Sequence, residues 1–446
     1  MSAIVRLLEA APRYGALLRS QYWRQDRLSS YREQHLDRTL AAAARIPFYA
    51  KRFGANPRPA DLGGFPVLRR ADIDALNRSA RSLYRDDARF PYARSSATSG
   101  SAVDFIFDRS HQNGRHAARA RYLRAHDWSP FQRTAWLAGQ VLLQGGYDRF
   151  DHDLGFISPV FLGVKFLPNW SDFREQAERF IALRPRYLYM YPSVLDGILR
   201  VFEERRQRLP SLRKVFTGAE VLEDSLRERV RRQLGVEIAD NYGSTEAFIA
   251  WQCPSGSYHL NAEHVLVEVV DDAGRAVAPG TLGRVLVTTL ENYLMPLIRY
   301  EIGDHAIPTE AQCSCGRTLP VFGRVLGRTM NLFRKQDGSY AASWMVINPL
   351  REFEMKQFQI TQKLVDWFII RYVADGPLSE DAQAQIKAEL SGLMGYRLSI
   401  TFEQVAEIAR TASGKFMLTR SEVEVDHDSP IGAINPLPEE LHNGKQ

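Results

Sequence analysis

The sequence predicts an α/β protein: a large N-terminal domain, 1–327, built on a parallel sheet, and a small α+β C-terminal domain, 328–446. Three observations carry this. Between Asp172 and Ala239, short apolar runs alternate with amphipathic stripes, the rhythm of strand–helix units that pair in parallel. After Glu263 the stripes give way to apolar strands joined by tight turns, which favours antiparallel pairing. Beyond residue 330 come a strand, a helix and another strand. A chain of 446 residues also exceeds one ordinary core.

Taken in order, residues 1–11 read as an amphipathic helix, because Arg6 and Glu9 interrupt the apolar run that a signal peptide needs. The first hundred residues are mainly helical, punctuated by Pro and Gly between 54 and 66. A small-residue loop, Ser95-Ser96-Ala97-Thr98-Ser99-Gly100-Ser101, precedes an alternating strand at 103–107. Phe173, Ala177, Phe180 and Ile181 form a helical stripe. A strand at 187–191, a helix at 194–209, a strand at 214–216 and a helix at 223–234 follow, leading to a strand at 236–239. Residues 265–270 and 283–289 are strands, with a turn at 271–274. Strands at 367–373 and 398–405 flank a helix at 380–394 in the C-terminal domain.

Composition narrows the function. Charged residues at 25% and apolar residues at 45% are ordinary globular usage. A net charge of +6, with Arg exceeding Lys, suits anionic small ligands and is too diffuse to argue for nucleic acid. No apolar run approaches a membrane span. Three cysteines suggest no disulfide framework, so a cytoplasmic enzyme is expected.

The stretch Asp240-Asn241-Tyr242-Gly243-Ser244-Thr245-Glu246 follows a strand, and open α/β sheets bind ligands at the C-terminal ends of their strands. Thr245 offers a hydroxyl to phosphate, Glu246 a hard oxygen to Mg²⁺, and Tyr242 a flat face to a base. The same residues would also serve a loop capped before a helix. The loop at 95–101 can form an anion-binding nest. All three cysteines join one histidine in Cys253-x₅-His259 and Cys313-x-Cys315, and three thiolates with an imidazole match a closed structural Zn²⁺ site.

The order of the motifs is more specific than any one of them. The Ser/Thr loop precedes Thr-Gly-Ala-Glu at 217–220, then Tyr-Gly-Ser-Thr-Glu at 242–246, Arg-Tyr-x-x-Gly-Asp at 299–304, Gly-Arg at 327–328 and Ser-Gly-Lys at 413–415. In this order the sequence resembles the adenylate-forming superfamily of acyl-CoA synthetases, over about 95–420. It is most similar to the branch of phenylacetate–CoA ligases and capsule-biosynthesis adenylating enzymes. Met295 to Tyr300, Cys313 to Thr318 and Lys356-Gln357-Phe358-Gln359 look like that branch.

The resemblance implies a fold whose antiparallel part is a small β-barrel-like unit, and an enzyme that joins a carboxylate to AMP with release of pyrophosphate. It implies that Ser95, Ser96, Thr98, Ser99 and Gly100 contact the β- and γ-phosphates. Gly218, Ala219 and Glu220 would line the adenine pocket, with Tyr242 stacked on the base and Asn241, Gly243 and Ser244 completing the site. Thr245 would meet the α-phosphate, Glu246 would hold Mg²⁺, and Asp304 would bind the ribose hydroxyls. Arg328 would lie near the ribose and a hinge, and Lys415 would be the catalytic lysine. The resemblance also implies a homodimer. The pattern is broken at three places. Ala97 stands where glycine is usual, Ser101-Ala102 where a basic residue precedes proline, and Met330 and Asn331 where an acidic hinge pair is usual.

Aromatic stretches at 136–147 and 156–166 would wall a site for an apolar or aromatic acid, or pack in the core. Three acceptor readings stay open at this point: the thiol of CoA, a non-CoA acceptor, and a nucleotide-binding homologue with impaired catalysis.

Overall fold

The structure, a computed structural model, describes residues 3–53, 59–84, 92–94, 103–129, 131–138, 164–168, 172–328, 332–353, 355–409 and 416–423. It opens on α1 (Ala3–Ser20), α2 (Gln25–Ala44), α3 (Pro47–Phe53) and α4 (Ile73–Arg81). The first helix runs well past residue 11, through Pro12, and packs along α5 (Arg109–Ala125).

Strand β1 (Tyr92–Arg94) pairs antiparallel with β2 (Asp104–Ile106). β3 (Thr134–Ala138), β4 (Val164–Pro168), β5 (Tyr187–Met190), β6 (Lys214–Gly218) and β7 (Glu237–Gly243) form the parallel part of an eight-stranded sheet. β8 (Phe248–Gln252), β9 (Tyr258–Leu260) and, later, β13 (Val321–Phe322) extend it in antiparallel fashion, giving the order β13-β9-β8-β7-β6-β5-β3-β4. Crossovers through the helices Phe173–Leu183, Pro192–Glu204 and Asp224–Leu234 keep the central strands parallel, and Phe180, Leu195, Ile198, Val215 and Val230 fill the layer between them.

β10 (Val265–Val270), β11 (Gly283–Thr289), β12 (Tyr300–Ile307) and β14 (Arg324–Arg328) make a four-stranded antiparallel sheet. Its apolar face, with Val285, Val287 and Tyr300, packs in one cluster with Leu40 and Ile73 of the early helices. The C-terminal part carries a small pair, β15 (Leu332–Arg334) and β16 (Tyr340–Ala342). It also carries a mixed sheet in the order β19-β18-β17-β20, from β17 (Gln357–Leu364), β18 (Trp367–Val373), β19 (Ser399–Gln404) and β20 (Thr419–Ser421). The helix Glu380–Met394 covers this sheet through Ile386 and Leu390, which share a core with Phe368 and Ile370.

Three expectations are refined. The helix expected over 194–209 is Pro192–Glu204: proline suits the first helical turn, and Arg206, at φ 49°, leaves the helical region soon after. The strand expected at 236–239 continues to Gly243, so the motif at 240–246 lies mostly on a strand. No helix follows it; a turn closed by Ser244 N–H donating to Ala247 O at 2.8 Å returns the chain as β8. Of the aromatic stretches, 139–163 lies outside the described residues. Trp136 stacks on Tyr189 at 4.0 Å within the sheet, a core contact.

Candidate active site and metal cluster

The C-terminal ends of β6 and β7 meet at one rung, where Gly218 pairs with Asn241. Glycine is required there, because a Cβ would lie 2.6 Å from Asn241 Nδ2. That amide nitrogen donates to Thr217 O at 2.5 Å and to the Tyr189 hydroxyl at 2.7 Å, so Asn241 ties three strands together. Ala219 has φ 67°, left-handed backbone that a side chain resists. Beyond it Glu220 Oε2 accepts from Ser193 N–H at 2.9 Å, and Oε1 accepts from Ser193 Oγ at 3.1 Å.

The Tyr242 hydroxyl donates to Asp304 Oδ2 at 2.8 Å, and its ring stacks on Phe322 at 5.7 Å and 16°. Asp304 stands on β12 opposite Arg328 on β14, which places the antiparallel sheet against the end of the parallel one. Asp240 is held within the fold: it accepts from Thr217 Oγ1 at 2.5 Å and Tyr258 OH at 2.6 Å, and burial raises its carboxyl above the ordinary range.

The turn at 244–247 completes the floor. A Cβ at Gly243 would sit 3.0 Å from Ala247 O, so the turn closes over glycine. Ser244 Oγ is buried and has no hydrogen-bond partner among the described residues. A buried hydroxyl in that state is costly unless a ligand completes it, so the turn fits an anion-bearing ligand with a flat ring beside Tyr242. Glu220, Tyr242, Thr245, Glu246, Asp304 and Phe416 all line one cavity of about 2070 Å³.

Ser95, Ser96, Thr98, Ser99, Gly100 and Lys415 lie outside the described residues, and of Arg328 only the backbone is described. The residue after Lys415 is described: Phe416 N–H donates to Glu220 Oε1 at 3.3 Å, at the wall of the cavity. Two contributors escaped the sequence. Ser193 had a usable signal, its position just past the end of β5. Phe322 had none, since Val321-Phe322 looks like any short apolar pair.

Val321, beside Phe322, pairs with His259, and His259 gathers with Cys253, Cys313 and Cys315 so that their ligand atoms are all within 4.8 Å of one another. Cys253 Sγ is 3.5 Å from Cys313 Sγ, and Cys315 Sγ is 3.2 Å from His259 Nε2. His259 Nδ1 faces Leu319 O at 3.0 Å; a carbonyl only accepts, so Nδ1 carries the proton and the Nε2 lone pair faces the sulfurs. Burial and the adjoining Cys313 push the Cys253 thiol up to about 12, a setting that a bound dication would reverse. This donor set fits a closed tetrahedral site. Among the described residues no helix is long and apolar enough to cross a membrane.

The chain matches the AMP-binding enzyme family over 149–294 and the CapK C-terminal domain over 333–422. It is 28% identical over 326 residues to a phenylacetate-coenzyme A ligase of Thermus thermophilus, spanning 68% of this chain and 71% of that one. A phenylacetate-coenzyme A ligase of Escherichia coli is 26% identical over 331 residues, spanning 68% and 72%. Among solved structures, 2-hydroxyisobutyryl-CoA ligase in the postadenylation state, in complex with 2-HIB-AMP, superposes with a TM-score of 0.71 at 19% identity, over 91% of this chain and 93% of that one. That likeness establishes the fold.

Proposed function

We propose, from the premise that this chain is a member of the adenylate-forming superfamily in its phenylacetate–CoA ligase and CapK branch, that it joins a carboxylic acid to AMP and passes the acyl group to the thiol of CoA. The observation that carries the reading is the convergence of Glu220, Tyr242, Thr245, Glu246 and Asp304 on one cavity beside the Ser244 hydroxyl, which has no partner among the described residues.

In this reading the Tyr242 ring stacks on adenine, with Gly218, Ala219 and Glu220 along its edge. Asp304, already an acceptor for Tyr242, takes a ribose hydroxyl with its remaining lone pairs. Thr245 donates to the α-phosphate, and Ser244 and the loop at 95–100 bind phosphate oxygens. Glu246 would hold Mg²⁺, which neutralises phosphate charge when bound. The chain's own contribution is positioning and fixed charge at oxygens whose negative charge redistributes during attack. The pivot lies near Arg328, where domains 1–327 and 328–446 meet. A homodimer in the cytoplasm, acting on an apolar or aromatic acid, completes the reading.

Pyrophosphate release measured over a panel of acids, with and without CoA, tests it. Thr245→Ala and Glu246→Ala are each expected to slow release on the order of a hundredfold, the cost of removing one preorganised electrostatic group. Asp304→Ala should weaken ATP binding. Unchanged release in all three variants would remove the basis for the site.

The cysteine cluster binds one structural Zn²⁺ with no open position and no part in the chemistry. It holds the turn that leads to β13 and hence Phe322, the platform for Tyr242. Elemental analysis of protein purified without chelator should find about one zinc per chain, as a closed four-ligand site requires. Cys313→Ser should lose the metal and lower the melting temperature. Metal-free protein with the wild-type melting temperature would count decisively against the site.

A further inference from the structure

We propose that His111 is a positioning residue for adenylation: from the first turn of α5 its ring fixes the Thr245–Glu246 turn in the shape that Mg²⁺–nucleotide binding requires. This deepens the function proposed above and rests on it.

The His111 ring reaches across the fold to place Nε2 3.0 Å from Glu246 O. The carbonyl only accepts, so Nε2 carries the proton. One helical turn on, Arg115 NH1 donates to Thr245 O at 2.9 Å. Two consecutive carbonyls of the turn are thus taken by side chains of one helix face rather than by strand partners. Their own side chains belong to residues that line the cavity. A turn held only by its Ser244–Ala247 hydrogen bond could tilt; one gripped at both peptides cannot tilt without breaking one buried and one half-buried hydrogen bond.

The helix that grips is itself fixed. Asp108 caps it, accepting from His111 N–H at 2.7 Å and from Tyr293 N–H at 2.7 Å, while Asp108 N–H donates to Asn292 Oδ1 at 3.1 Å. At Gly114 the helix passes so close to His264 that a Cβ would lie 2.2 Å from its Cε1. The His111 ring also stacks on Phe107 at 5.0 Å and 13°. Burial, with Arg115 nearby, pushes His111 down to about 3, so it stays a neutral donor and adds no cation beside a bound Mg²⁺.

The test uses the full chain with His111→Leu, which removes the donor, and His111→Gln, whose amide nitrogen can replace Nε2. Amide hydrogen exchange over 242–249 is read in ligand-free protein, and Mg²⁺-dependent binding of a fluorescent ATP analogue is read beside it. His111→Leu should speed exchange at 244–247 and raise the Mg²⁺ needed for half-saturation, each by about tenfold, the loss of one buried hydrogen bond. His111→Gln should restore most of both. Wild-type exchange and Mg²⁺ dependence in His111→Leu would overturn the proposal, as would equal losses in both variants. Wild-type protein that fails to bind the nucleotide overturns the function itself.

Discussion

Lys415→Ala is expected to nearly abolish adenylate formation, by on the order of a hundredfold or more, while sparing the reaction of a supplied acyl adenylate with CoA. Lysine is a compact charge on a flexible stem, suited to a carboxylate and a bridging phosphate oxygen, and the Ser-Gly before it lets the loop approach closely. The hydrogen bond from Phe416 N–H to Glu220 brings the next residue to the cavity in this arrangement. Transfer to CoA would use a second arrangement, with the C-terminal part turned about its hinge and the lysine withdrawn. Pyrophosphate release and thioester formation from synthetic acyl adenylate are the two measurements. Equal loss of both would refute the division of labour, and full retention of the first would sink the lysine's role.

Arg121→Met is the largest expected effect on stability, about 3–5 kcal/mol, because it strands a buried carboxylate. Arg121 donates through NH1 to Glu263 Oε1 at 2.6 Å and through NH2 to Oε2 at 3.1 Å, with side chains 0% and 1% exposed. NH2 also donates to Asn261 Oδ1 at 2.8 Å and NH1 to Leu17 O at 3.1 Å, while Nε has no partner among the described residues, so the pair binds α1, α5 and the loop before β10. Burial by itself raises the Glu263 carboxyl, but Arg121, joined by hydrogen bonds from Ser20 Oγ and a backbone N–H, more than offsets this and holds it below the ordinary range. The wild-type contribution is therefore full above the unfolded carboxyl value, about 4.3, and lost as pH falls through the lower folded value. In the variant only the hydrogen bonds from Ser20 Oγ and a backbone N–H still oppose burial, so the folded value rises from its wild-type position and the penalty shrinks in acid. Denaturant midpoints near neutrality and near pH 4 should show that convergence. Arg121→Met/Glu263→Gln should recover most of the loss, and a double variant as unstable as the single one would contradict the account.

Local pattern was legible wherever one face of an element is buried. The helix Glu380–Met394 and the strands Val265–Val270, Gly283–Thr289 and Trp367–Val373 have the ends that periodicity and turn residues predicted. The cysteine cluster was legible because only three cysteines exist and all converge. Glu220, Tyr242, Thr245, Glu246 and Asp304 stood out by motif, and the fold gathers them around one cavity. What stayed hidden depends on distant packing. Nothing near Phe322 announces Tyr242, and nothing near His111 announces a carbonyl 135 positions away. Such partners are chosen by sheet order and helix docking, which local periodicity does not encode.

The short strand β13 also decides how this protein meets its neighbours in a crowded solution. It ends the eight-stranded sheet on one side with two residues, paired as Val321 to His259 and Phe322 to Tyr258. A long flat edge exposes a row of unpaired amides on which a foreign strand can add; a two-residue edge has no such row. The cysteine turn before it ends the sheet where further rungs would otherwise invite association. If that turn opened, β9 (Tyr258–Leu260) would become the edge, three residues in place of two, and self-association is expected to accompany any loss of stability.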